Sequence, residues 1–218
     1  MVLKLYTTEI AGNGRRVAAI LHELRIPYEL VQPGSFADLK TEAWKDYRPF
    51  GQMPYINDDG FVLYESRAIA KYLATKYASS ASPLLPAKDD LNATALYDQA
   101  VSVEMSDFEP YAGGLFREKV FKKWQGMEPE SLFVTSYETI LKGKMDGFEK
   151  ILSKQKYMAG DKLTIVDFFY LPFGSALEPA GYDYFVNESK YPNVARWWKE
   201  MTTKESWVKV KDGVPPSL

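Results

Sequence analysis

Every segment of this chain that reads as a strand lies before residue 79, and every regular segment beyond residue 90 reads as helix. That division restricts the possible folds more than any single motif. In the first part, "VLKLY" is a short strand, and "GRRVAAILHELR" carries Val17, Ile20, Leu21 and Leu24 at helical spacing. "IPYELVQ" reads as a second strand, and "ADLKTEAWKDYRP" as a looser amphipathic helix ended by Pro49. "MPYIND" and "FVLY" are two strands joined at an Asp-Gly turn, and "ESRAIAKYLATKYA" closes the unit as a helix. The order βαβαββα predicts a thioredoxin-like α/β domain over residues 1–78. "SSASPLLPAKDD", residues 79–90, is small, polar and broken by prolines, which marks a linker. Helical patterns then run over 91–123, 130–152, 165–177 and 193–204, so an all-helical domain is expected over 91–218. Within it, Thr164 and Asp167 are spaced as the acidic form of a capping box.

Composition narrows the chemistry. With no cysteine among 218 residues, a disulfide framework, a thiolate metal site and a cysteine nucleophile of the protein's own are excluded. The single histidine, His22, falls inside the first helix, away from any nucleophile-elbow pattern, and reads as a packing or surface residue. No metal and no cofactor are therefore expected. Lysine plus arginine (27) nearly balance aspartate plus glutamate (29), so neither a nucleic-acid nor an anionic-membrane partner is expected. No apolar run approaches membrane-spanning length and no secretory leader opens the chain, which makes a cytoplasmic protein the expectation.

Three stretches carry chemistry. "TTEIAGNGRRVAAI" follows the first strand and opens the first helix, where backbone N–H groups can face an anion. As a dinucleotide fingerprint it fails, because Val17 stands where the third glycine belongs, and no Lys-Ser or Lys-Thr completes a P-loop. "FGQMPYI" sets Gln52 and Met53 before Pro54 at the start of a strand, where a cis peptide would turn the Met53 backbone outward to pair with an extended peptide. "YESRAIAKYL" puts Glu65 and Ser66 at a helix start, Ser66 to cap and face a carboxylate, Glu65 to meet an amine. Asp58 with Asp59, and Asp89 with Asp90, are turn and cap formers rather than an acid/base pair.

Taken together, "LKLY", "GRRVAAIL", "PFGQMP", "YESRAIAKYL", "LTIVDF" and "YPNVARWWKEMTTKESWVKV" resemble the glutathione transferases over nearly the whole chain, most closely the phi-like group of plants and fungi. The resemblance implies a thioredoxin-like domain that binds glutathione, a helical domain that binds an apolar co-substrate, and a homodimer. It assigns Glu65 and Ser66 to the γ-glutamyl amine and carboxylate, Met53 before the cis-proline Pro54 to the cysteinyl backbone, Gln52 to a further glutathione contact, and Lys40 to the glycine carboxylate. Leu39 departs from the family, which often has histidine there.

A second departure concerns the thiol. The phi-type serine hydroxyl falls at Ala11, so the usual donor to sulfur is missing. "AGNGRRV" also resembles the "PNG" segment of the nu-class and yeast nitrogen-regulator branches, in which an asparagine amide lies near the sulfur. Asn13 is the match, with Gly12 replacing the proline, and Thr8, Thr7 and Tyr6 are the other candidates. Ile10, Phe36, Phe108, Tyr111 and Phe116 are candidates for the wall of the apolar site. The activity implied is conjugation of glutathione to apolar electrophiles. The alternatives are a glutathione-dependent disulfide reductase or peroxidase, and a non-catalytic carrier of apolar ligands.

Overall fold

The computed structural model describes residues 2–35, 37–77 and 83–218. Phe36, and residues 79–82 of the expected linker, lie outside them. The chain forms two compact units: Met1–Leu85 together with Lys204–Leu218, and Pro86–Thr203.

In the first unit, β1 (Leu3–Tyr6) pairs in parallel with β2 (Tyr28–Val31) and antiparallel with β3 (Tyr55–Asp58), which pairs antiparallel with β4 (Phe61–Tyr64). The sheet order is β2-β1-β3-β4. Leu3 and Leu5 are buried and Lys4 between them is exposed, the alternation of a strand with one covered face. The hairpin turns at Asp59 and Gly60, both at positive φ (53° and 90°), as a two-residue turn matched to strand twist requires. Helix α1 (Gly12–Glu23) buries Val17, Ala18, Ile20 and Leu21 and packs against α3 (Ser66–Tyr77), which contributes Ile69, Ala70 and Leu73. His22 is buried beside Tyr28, so it packs, as expected. The segment 37–49 forms only a 3₁₀ turn over Asp38–Lys40 and one helical turn, α2 (Glu42–Lys45), not the amphipathic helix expected there.

The end of the chain corrects the expected helical boundary at residue 218. From Lys204 onward it belongs to the first unit: α11 (Glu205–Val208) packs on α1, Val214 donates its N–H to Glu9 at 2.9 Å, and Leu30 donates to Pro216 at 2.8 Å. The anchor is Trp207, almost wholly buried, with the Arg15 guanidinium 6.0 Å from its ring centre.

The regular elements of the second unit are all helices, with an isolated antiparallel bridge between Tyr157 and Gly160 among the described residues. Helix α4 (Leu91–Val103) passes through a π-helical turn at Glu104–Phe108 into α5 (Glu109–Phe116), then through another at Arg117–Phe121 into α6 (Lys122–Trp124). Helix α7 (Ser131–Leu152) packs along α5 and α10 (Pro192–Thr202). The single helix expected over 165–177 is two short ones, α8 (Ile165–Phe169) and α9 (Leu171–Gly174), because Pro172 has no N–H to continue the ladder. The expected capping box at Thr164 and Asp167 is present, and Asp167 also accepts from the Met158 N–H (2.9 Å) and the Trp197 indole (3.0 Å). Among the described residues, no helix is long and apolar enough to cross a membrane.

Candidate functional site

Sheet register gathers the candidate residues of the first unit at one end of the sheet. Tyr6 stands opposite Tyr55, and Tyr55 opposite Tyr64. The residues one step beyond, Thr7 after β1, Pro54 before β3 and Glu65 after β4, therefore share that end. Helices α1 and α3 both begin there. The Met53–Pro54 peptide is cis, Met53 is half-buried, and its backbone makes no hydrogen bond among the described residues. Glu65 is exposed with φ at +69°, a left-handed conformation costly for a non-glycine residue and concentrated at ligand-holding sites.

Ser66 is the first residue of α3 rather than its cap, and it is nearly buried. Its hydroxyl accepts a hydrogen bond at 2.9 Å from Nη1 of Arg16, a residue of α1 with no exposed surface. A second buried arginine braces the opposite flank. Arg48 donates from Nε to the Trp44 carbonyl (2.7 Å), from Nη1 to Gly51 (3.1 Å) and from Nη2 to Leu39 (2.6 Å), with its guanidinium carbon 5.5 Å from the centre of the Trp44 ring. Two of the three carbonyls it binds, those of Leu39 and Gly51, belong to the residues immediately before Lys40 and Gln52, so one side chain sets the spacing of both. Lys40 and Gln52 are exposed.

Neither arginine stood out in the sequence. Arg16 lies four residues before Ile20, on the stripe that faces the core, and a charge on that stripe was the available signal. Arg48 falls at the end of the segment that reads as a looser amphipathic helix, and no local pattern singles it out.

Around the start of α1, Ala11 occupies the cap position with no side-chain cap bond, and the first turn has no acidic residue. The N–H groups there face outward with the positive end of the helix dipole. Asn13 is half-buried, and its Oδ1 is buried without a hydrogen-bond partner. Thr7 is fully buried, its hydroxyl directed to the Thr8 carbonyl at 3.3 Å, which removes it as a donor to a ligand; Thr8 is half-buried. Tyr6 stacks on Tyr55 at 4.3 Å between ring centres and meets Trp44 edge-on at 5.8 Å, a sheet-packing role.

The apolar wall candidates separate. Phe108 has no exposed surface and is enclosed by Phe148, Tyr170 and Phe185; it is a core residue of the second unit, not a wall open to a ligand. Tyr111 is half-buried, Phe116 half-buried against Phe173 and Trp124, and Ile10 exposed. No group of histidine and acidic residues suited to a metal ion occurs among the described residues.

A family model described as "Glutathione S-transferase, N-terminal domain" matches residues 5–81, and one described as "Glutathione S-transferase, C-terminal domain" matches residues 135–205. Glutathione S-transferase hmp2 of Hypomyces subiculosus is 40% identical over 211 residues, covering 96% of this chain and 97% of that protein. Among solved structures, glutathione transferase F7 from Populus trichocarpa superposes with a TM-score of 0.87 at 28% identity, covering 98% of this chain and all of that one. Glutathione S-transferase I from mais, in complex with an atrazine glutathione conjugate, gives 0.86 at 29% identity, with 97% of each chain covered. With a mixed four-stranded sheet in the first unit, helices in the second and sequence identity of this extent, the chain belongs to the glutathione S-transferase family of enzymes.

Proposed function

We propose that this protein conjugates glutathione to apolar electrophiles, with the thiolate stabilised by the Asn13 amide and the first turn of α1 in place of a serine hydroxyl. The observation that carries the reading is the shared sheet end, where unpaired Met53 backbone, the exposed Glu65 carboxylate, the Ser66 hydroxyl and an uncapped helix start lie together. Glu65 takes the γ-glutamyl amine, Ser66 the adjacent carboxylate, and Met53 the cysteinyl backbone as a short added strand. Gln52 supplies a further contact and Lys40 the glycine carboxylate.

The reaction is displacement: the sulfur–carbon bond forms as the bond to the leaving group breaks, and the thiol proton passes to solvent. A free thiol, with pKa near ~8.5, is mostly protonated at neutral pH, and each unit of lowering corresponds to about 1.4 kcal/mol of thiolate stabilisation. Asn13 Nδ2 and the N–H groups of α1 supply that stabilisation as fixed dipoles. The Asn13 side chain breaks no internal bond to Oδ1 when it turns toward sulfur. Thr8 is the reserve donor. Ile10, Tyr111 and Phe116 are proposed for the apolar site, the protein acts as a cytoplasmic homodimer, and it needs no cofactor beyond glutathione as co-substrate.

The test is retention on immobilised glutathione, followed by parallel assays with chlorodinitrobenzene and a small glutathione mixed disulfide in wild type and Asn13→Ala. The expected result is conjugation by wild type, and in the variant a kcat lower by about 100-fold with glutathione affinity mostly kept. Unchanged turnover removes Asn13 from the mechanism. Activity confined to the mixed disulfide replaces conjugation with disulfide reduction, and inertness in both assays with binding of apolar dyes leaves a carrier.

A further inference from the structure

We propose that Arg16 is a positioning residue for the γ-glutamyl carboxylate, acting through Ser66 and making that subsite selective for an anion. The inference rests on the assignment of Ser66 to that carboxylate.

Arg16 has no exposed surface, so it cannot touch a ligand itself. A guanidinium only donates, whereas a hydroxyl has one proton and two lone pairs. The 2.9 Å bond from Arg16 Nη1 to Ser66 Oγ occupies one lone pair, and Ser66 must aim its own proton away from the arginine. A hydroxyl that accepts from a cation is also a stronger donor, because the charge polarises its O–H bond and the surroundings are poorly solvated. Ser66 opens α3, so the first-turn N–H groups beside it are donors as well. A ligand group placed there meets donors in front and a positive charge behind. A carboxylate satisfies this arrangement, and a hydrogen atom or a donor group does not.

Arg16 also belongs to the same helix as Asn13, three positions on, which puts both on one face of α1. The one buried bond thus fixes the distance between the group proposed to face sulfur and the group proposed to hold the carboxylate. A thiol peptide whose carboxylate is missing, or set at a different distance from sulfur, loses the benefit of both.

The experiment compares glutathione with 4-aminobutyryl-cysteinylglycine, which lacks only the α-carboxylate of the γ-glutamyl residue, as thiol substrates of wild type, Arg16→Met, Ser66→Ala and the double variant. Wild type is expected to show a KM higher by about 30-fold or more for the analogue. Arg16→Met is expected to raise KM for glutathione about 10-fold or more, to leave kcat within about threefold, and to leave the KM for the analogue unchanged. The double variant is expected to be no worse than Ser66→Ala, because both changes interrupt one contact. Equal losses with both thiols, or losses that multiply in the double variant, overturn the proposal and leave Arg16 a purely structural residue. Wild type that treats the two thiols alike has a different signature: it removes the carboxylate from Ser66 and the proposal with it. Should Arg16→Met fail to fold, Arg16→Lys keeps the charge without the planar fork. It is expected to raise KM severalfold for glutathione alone, and a proportional loss with the analogue overturns the inference.

Discussion

Thr7 and Gly14 occupy one space: a Cβ added at Gly14 would fall 2.8 Å from Thr7 Cγ2 and closer still to its hydroxyl. Thr7 is fully buried, and Gly14 lies in the first turn of α1, so the loop between β1 and α1 closes by the absence of a side chain. Gly14→Ala is expected to destabilise the protein by about 1–3 kcal/mol, the usual range for overpacking, and to lower kcat by displacing Asn13. Urea unfolding and initial rates check it; a variant as stable and as active as wild type shows that the loop can relax around the methyl group.

Arg48 governs the other flank. Replacing it by methionine keeps the packing on Trp44 but deprives the carbonyls of Leu39, Trp44 and Gly51 of a charged donor. The expected cost is about 3 kcal/mol or more, with a raised KM for glutathione as Lys40 and Gln52 lose their spacing. Thermal unfolding and the KM of Arg48→Met against Arg48→Lys separate the two effects, and an unchanged KM would mean that Lys40 and Gln52 do not serve the ligand.

Acid stability turns on Asp58. Burial opposes its ionisation, but hydrogen bonds from Lys76 (2.7 Å), Tyr72 (2.7 Å) and Tyr77 (2.8 Å) outweigh that and hold its pKa below the ordinary carboxylate value of 3.8. The unfolded chain therefore takes up the proton first. The contribution of Asp58 to stability is complete above about pH 4 and is lost as pH falls through its folded pKa. Asp58→Asn is expected to be less stable at pH 7 and to have a shallower acid limb; matching slopes below pH 4 in the two proteins would contradict this.

Asp167 acts in the opposite sense. Burial pushes its pKa up to about 6, against the lowering effect of its bonds from Met158, Thr164 and Trp197. Between about pH 4 and pH 6 the folded state holds a proton that the unfolded state releases, so this residue alone makes stability rise as pH falls through that window. Asp167→Asn removes that slope and, by leaving one or more buried N–H groups without an acceptor, lowers stability at pH 7 by about 1–3 kcal/mol. Chemical unfolding at pH 7 and at pH 5 measures both parts, and an undiminished difference between the two pH values in the variant counts against it.

Features settled within a few residues are legible in the sequence. The Asp59–Gly60 turn, the Thr164–Asp167 box and the alternation around Leu3 and Leu5 are each written in one short window. Misreadings came where a distant group intervened. Phe108, at the right spacing for a pocket wall, is closed in by Phe148, Tyr170 and Phe185 from helices or loops at least 40 positions away, whereas over 37–49 the helical spacing yields to a local loop in which Arg48 binds the carbonyls of Leu39, Trp44 and Gly51.

The amino-acid order alone determined the succession of strands and helices, the hairpin, the cap of α8 and the absence of a serine at position 11, because turn chemistry and periodicity act over one or two turns of chain. Tertiary structure decided that Arg16 lies behind Ser66, fifty positions away, and that the segment after Lys204 returns to the sheet-bearing unit. A buried charge is stabilised by whatever acceptors reach it through space, and its partner is chosen only when the elements have packed.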